Sequence, residues 1–194
     1  MGVADRLRRR LFGRPQGLLG KLGGAIMARV NRGAAERAVA LLAPQPGDAV
    51  LEIGFGPGVG IEVLVRAASA GRVAGVDPSF EMLEQARSRN AEAIGRGQVD
   101  LRLGSVERLP FDDETFDAAM SINSMPMWPD ALQGLREICR VLRPGGRVVL
   151  GFTRHSGQRR NDVPELLARA GFVEVSVHTG GEREEDFFVL ARKA

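Results

Sequence analysis

A chain of 194 residues, 44% hydrophobic and 26% charged, suits one soluble globular domain with one sizeable core. Its single cysteine, Cys139, excludes an intramolecular disulfide framework, and Arg14, Lys21 and Arg29 break up the only N-terminal stretch that could have been a membrane span or a signal peptide. Net charge is +3 but uneven: residues 1–32 carry +7, which leaves −4 on residues 33–194.

That asymmetry suits contact with an anionic membrane surface, nucleic acid or an acidic partner, and equally a solvated helical face. Within residues 1–33, Leu18, Leu22, Ile26 and Val30 recur every fourth position, the spacing of an amphipathic helix. Gly17, Gly20, Gly23 and Gly24 weaken it in isolation, so it is expected to order by packing on the domain, over a ligand or on a membrane surface. The cysteine usage points to the cytoplasm, with peripheral membrane contact through residues 1–32 as an option. Residues 34–194 form the main domain. Its first helix, Ala34–Leu42, stops at Pro44-Gln45-Pro46-Gly47-Asp48.

A short buried strand, Ala49–Ile53, then runs into Gly54-Phe55-Gly56-Pro57-Gly58-Val59-Gly60 and a helical pattern at Ile61, Val63, Leu64 and Val65. Strand, glycine turn and helix bring backbone close to a ligand at a strand's carboxyl end. A dinucleotide turn would place its third glycine at position 59, where Val59 stands; the spacing here is G-x-G-x-G. A second strand, Arg72–Val76, ends in Asp77-Pro78-Ser79, with Ser79 as a helix N-cap and Met82, Leu83 and Ala86 as the buried face of the helix that follows. An acid at the place of Asp77 accepts both hydroxyls of a ribose.

A third strand, Val99–Leu103, leads into Gly104-Ser105-Val106-Glu107-Arg108-Leu109-Pro110-Phe111, and the structural acidic turn Asp112-Asp113-Glu114 into a fourth, Phe116–Ile122. Asn123 to Asp130 lie where open sheets bind ligands. Two prolines stiffen that segment, and Met125, Met127 and Trp128 either wall a substrate or cap the core. A helix over Ala131–Leu142, holding Cys139 as a buried structural thiol, stops at Arg143-Pro144-Gly145-Gly146. Strand five, Arg147–Phe152, a basic loop, Thr153–Arg160, a helix, Pro164–Ala170, and strands Phe172–His178 and Asp186–Ala191 complete the chain. His155 and His178 stand far apart, and no metal is expected.

The L-E-I-G-F-G-P-G run, Asp77 after the second strand, G-S-V-E-R-L-P-F and L-R-P-G-G-R, in this order, resemble class I S-adenosylmethionine-dependent methyltransferases. Within these they are most similar to the ubiquinone and menaquinone biosynthesis (methyltransferase type 11) group. The resemblance covers residue 34 to the C-terminus. It implies an α/β, Rossmann-like seven-stranded sheet, five parallel strands plus a C-terminal antiparallel pair, with helices on both faces. It also implies S-adenosyl-L-methionine as cofactor and S-adenosyl-L-homocysteine as product. Glu52, Gly54, Phe55, Gly56, Pro57 and Gly58 would hold the methionine part, and Asp77 the ribose. Met82 and Val106 would flank the adenine and Ser105 meet its edge, with Pro78 and Gly104 in the same pocket. Ser121 and Asn123 would line the floor below the methyl group. An aspartate is usual in the family where Ser105 stands, so this contact lacks charge assistance.

Asn123, Met127, Trp128 and His155 are the expected substrate-lining residues. No essential catalytic side chain is identifiable; His155 and Asn123 are the only candidates, and the chain has no tyrosine. Asn123-Ser124-Met125-Pro126 replaces the N-P-P-Y-type motif of nucleic-acid amino methyltransferases, which argues against a nucleic-acid acceptor. Three readings remain: a methyltransferase for a small apolar or amphipathic acceptor, one for a membrane lipid or quinone anchored by residues 1–32, and a cofactor-binding protein without turnover. Val59 and the closing antiparallel pair disfavour a nicotinamide oxidoreductase.

Overall fold

The computed structural model describes residues 32–69, 71–180 and 185–194. The basic amphipathic segment expected over residues 1–33 lies almost wholly outside them. The elements are α1 (residues 32–42), β1 (Ala49–Ile53), α2 (Val59–Ala67), β2 (Arg72–Asp77), α3 (Phe80–Arg89), α4 (Ala91–Gly95), β3 (Val99–Leu103), β4 (Phe116–Ile122), α5 (Ala131–Val141), β5 (Leu142–Phe152), α6 (Asp162–Arg169), β6 (Phe172–Thr179) and β7 (Phe187–Lys193). The central strands are nearly continuous apolar runs because helices cover both of their faces, as parallel sheets require.

The strands form one sheet in the order β3-β2-β1-β4-β5-β7-β6. β1 pairs in parallel with β2 and β4, β2 with β3, and β4 with β5. β7 runs antiparallel between β5 and β6, giving the closing pair that the resemblance implied. Successive strand residues enter opposite layers. Leu51 and Ile53 join a core with Leu135 and Ile138 of α5 and Val163 and Leu167 of α6. Val50 joins the other, with Ala38 and Leu42 of α1, Ile61 and Leu64 of α2, and Leu83 and Ala86 of α3.

One boundary differs from expectation by more than two residues. β5 starts at Leu142, opposite Phe116, and not at Arg147; Arg143 to Gly146 bulge out before pairing resumes at Arg147 opposite Ala118. Arg143 closes the bulge by pairing with Asp117 and donating to the Glu114 carbonyl at 3.2 Å. The helix after Ser79 breaks at Asn90, whose Nδ2 donates to the carbonyls of Ala86 at 2.9 Å and Gly58 at 3.0 Å. Ser79 is the N-cap read from the sequence, its Oγ accepting from the Met82 amide at 3.4 Å.

Gly58 starts α2 at φ 81°, and a Cβ built on it would lie 2.7 Å from the Cβ and 2.8 Å from the Cα of Ala86. Gly58→Ala therefore combines left-handed strain with overpacking against a backbone, and should cost about 2–4 kcal/mol of stability. Urea unfolding measures it; an unchanged midpoint would mean that α3 gives way freely.

Candidate cofactor and active site

The glycine turn leaves β1 between the carboxyl ends of β2 and β4. Gly54, Gly56 and Gly58 all adopt positive φ, at 70°, 51° and 81°. At Gly54 a Cβ would come within 2.4 Å of the Ser124 Cβ, so glycine is what lets the segment after β4 close on the turn. The Gly54 amide donates to the Val76 carbonyl at 2.8 Å and the Gly56 amide to Asp77 Oδ2 at 2.9 Å, while Asp77 Oδ1 accepts from the Ser79 amide at 2.9 Å. One carboxylate thus ties the turn to the end of β2. Arg89 Nε donates to the Pro57 carbonyl at 2.9 Å and pairs with Glu62, which also holds Arg32 and Arg66. Arg89, Asn90 and Glu62 carry no local sequence signal; only the fold brings them to the turn.

Glu52 points from β1 under the first turn of α2. A Cβ on Gly60 would sit 2.1 Å from its Oε1, and the Ile61 N–H donates to the carboxylate. Its Oε2 has no hydrogen-bond partner among the described residues. Burial pushes its pKa well above the ordinary carboxylate range, with the charge of Asp77 adding and the Ile61 N–H opposing. Burial likewise raises Asp77, against the amides of Ser79 and Gly56. A buried orphan oxygen at a helix N-terminus, beside a backbone cradle, suits a group that brings donors and positive charge, as the methionyl end of S-adenosylmethionine does. Asp77 retains lone pairs for a ribose.

The remaining cofactor-side expectations are unevenly placed. Met82 and Val106 are buried, and the Gly104 amide donates to the Asp77 carbonyl at 3.1 Å. Pro78 and Ser105 are exposed, and the Ser105 hydroxyl is turned to Glu107. Phe55 is core: its ring fills the space that Gly75 leaves, since a Cβ there would lie 2.6 Å from Phe55 Cδ1, so only its backbone can face a ligand. Glu107 accepts from the Asp130 amide at 3.3 Å, bracing the start of α5. Arg140 of α5 holds the loop after β3 through Glu137, Asp113 and the carbonyls of Leu109 and Phe111. Arg140 in turn lowers the Glu137 pKa.

On the acceptor side, Ser121 Oγ and Ser124 Oγ lie 2.6 Å apart. Ser124 donates to the Ile53 carbonyl at 3.1 Å and accepts from Trp128 Nε1 at 3.1 Å. The sequence reading missed Ser124, which joins β1, β4 and the tryptophan. Met125 is buried in the core and leaves the apolar wall to Met127, 37% exposed, and half-buried Trp128. Asn123 has φ 56°, and its Oδ1 accepts from the Thr153 amide at 2.8 Å and hydroxyl at 3.2 Å, linking the ends of β4 and β5. His155 is exposed, its Nε2 accepting from Arg154 Nε at 3.1 Å, so that the nitrogen a base would use is already engaged.

Residues 51–150 match the family described as methyltransferase domain. The chain belongs to this family. It is 32% identical over 129 residues, 66% of this chain and 69% of the relative, to the uncharacterised methyltransferase YdaC of Bacillus subtilis. It is 34% identical over 106 residues to the ubiquinone/menaquinone biosynthesis C-methyltransferase UbiE of Geotalea daltonii, covering 54% of this chain and 45% of that one. Coverage of the first curated relatives ranges from 30% to 73% of their length. A solved S-adenosylmethionine-dependent methyltransferase of Aquifex aeolicus superposes with a TM-score of 0.76 at 20% identity, over 88% of this chain and 98% of that one. Fold, cofactor and enzyme class are those of a class I S-adenosylmethionine-dependent methyltransferase. No helix of the described residues is long and apolar enough to cross a membrane, and no group of three or more His, Cys, Asp or Glu among them could hold a metal ion.

Because the folded pKa of Glu52 lies above its unfolded value, its contribution to stability is complete below the unfolded pKa and is lost as pH rises through the folded one. Glu52→Gln removes that loss. In the ligand-free protein it should be neutral near pH 4 and stabilising by on the order of 1 kcal/mol at pH 8, while weakening S-adenosylhomocysteine. Thermal unfolding at both pH values, with and without ligand, checks this; a pH-independent effect would count against the buried charge.

Proposed function

We propose that this methyltransferase acts on a small, amphipathic acceptor held between the segment after β4 and the loop after β5. The observation that carries this reading is the pair Met127 and Trp128, an incompletely buried apolar surface joined to the backbone of β1 through Ser124, which itself packs on Gly54 of the glycine turn. A bound S-adenosylmethionine supplies an activated methyl group on a sulfonium. Gly54, Gly56 and Gly58 admit its methionine part beside Glu52, Asp77 holds its ribose, and Met82 and Val106 flank its adenine. The chain's own contribution is then proximity and alignment, with the Ser121–Ser124 pair fixing the floor and apolar side chains excluding water. No side chain described here is placed as a general base, which suits an acceptor atom that is already nucleophilic.

A second reading, a quinone or lipid acceptor at a membrane surface, draws support from the similarity to UbiE and from the basic residues 1–32. Under either reading the protein works in the cytoplasm, freely or against the membrane.

Calorimetric titration with S-adenosylhomocysteine, with NADH as control, tests the cofactor assignment on the free protein. Asp77→Ala should weaken the former at least tenfold, about 1.4 kcal/mol, and Asp77→Asn, which keeps the shape and one acceptor, should fall between. Equal affinity in all three proteins would remove Asp77 from its role.

A further inference from the structure

Among the described residues, ten of eighteen arginines hold a carboxylate within ion-pair distance. Three that do not, Arg154, Arg159 and Arg160, crowd into one loop at the carboxyl end of β5, all exposed. Arg154 spends its Nε on a neutral acceptor, His155, at 3.1 Å; Arg160 lies 5.5 Å over the ring of Phe187. No carboxylate of the described residues lies within ion-pair distance of them. Asp186 accepts from the backbone amide of Arg154 at 3.0 Å, and Asp162 and Glu165 lie in the first turn of α6, where the helix end favours them.

The loop is built and anchored. Thr153 is fixed to Asn123, the Ser156 amide donates to the Thr153 carbonyl at 2.8 Å, the Gln158 amide to Ser156 Oγ at 3.2 Å and the Asp162 amide to the Arg159 carbonyl at 3.4 Å. Its root is therefore bonded to Asn123, the residue that ends β4 beside the Ser124–Trp128 wall. Three exposed arginines on a loop whose root is bonded to Asn123, next in the chain to Ser124, offer forked donors for a planar or tetrahedral anion whose remaining body is apolar.

We propose that the Arg154–Arg159–Arg160 loop is an anion-binding subsite for the acceptor, so that the methyl acceptor carries a carboxylate or phosphate joined to an apolar portion. This rests on the proposed placement of the acceptor between the segments after β4 and β5. The anion belongs either to a soluble molecule or to a lipid headgroup, and the same arginines serve both.

The test uses the full chain saturated with S-adenosylhomocysteine and reads the fluorescence of Trp128, the only tryptophan. Phenyl phosphate should change that emission saturably, and benzyl alcohol, its uncharged counterpart, should bind at least tenfold more weakly. The triple variant R154A/R159A/R160A should lose tenfold or more in phenyl phosphate affinity with S-adenosylhomocysteine affinity retained, and the triple lysine variant should keep most of it. In a parallel arm, phosphatidylglycerol vesicles are compared with phosphatidylcholine vesicles. Binding to the former that falls in the alanine variant assigns the anion to a lipid headgroup; phenyl phosphate binding without vesicle binding assigns it to a soluble acceptor. Phenyl phosphate binding unaffected by the alanine substitutions, or no binding of either probe to the wild type, overturns the proposal. Failure of S-adenosylhomocysteine to bind at all would instead strike the cofactor assignment, which is measured separately.

Discussion

The carboxylate of Asp77 is the point on which the site depends. Its two oxygens take the Gly56 and Ser79 amides, so a single side chain fixes the glycine turn to β2 and starts α3 at the right place. α3 then returns Arg89 and Asn90 to the carbonyls on the far side of the turn, at Pro57 and Gly58. The turn is gripped from both ends of one helix. This has a cost, since burial raises the proton affinity of both Asp77 and Glu52, the charge of Asp77 raises that of Glu52 further, and Glu52 keeps an oxygen without a partner among the described residues. A fold under selection for stability alone would replace such a pair with apolar side chains; a cationic ligand gives a physical reason to keep it.

How much of this was legible in the sequence follows from range. The strands, the glycine turn, the Ser79 cap and Asp77 at the end of β2 are local patterns, and apart from the start of β5 each is found within two residues of where the sequence places it. The closing antiparallel pair came from the family resemblance, not from periodicity, and the strand order is read from the structure alone. What could not be read are pairings across 21 to 71 positions: Gly56 with Asp77, Arg89 with Pro57, Ser124 with Ile53. Phe55 and Met125 show the same limit from the other side. Each sits in a segment that faces ligand by topology, yet its side chain turns into the core because Gly75 leaves room for the one and the packing beneath α5 for the other. Position along a loop does not fix orientation; the neighbouring layer does.

The distribution of charge gives the site a direction. Acids lie at the ends of β1 and β2, and unpaired arginines at the end of β5, three strand spacings from β2, or roughly 14 Å at about 4.8 Å each. A sulfonium held over β1 would stand two strand spacings from β5, roughly 10 Å or about one Debye length, so surface guanidiniums there are partly screened from it, whereas Glu52 and Asp77 would act on it through protein with little water between. For the anionic acceptor proposed above, placing the two signs at opposite ends would keep either set of protein charges from opposing the other's ligand. The uncharged Ser121–Ser124–Trp128 cluster stands at the carboxyl end of β4, between the strands that carry the two signs.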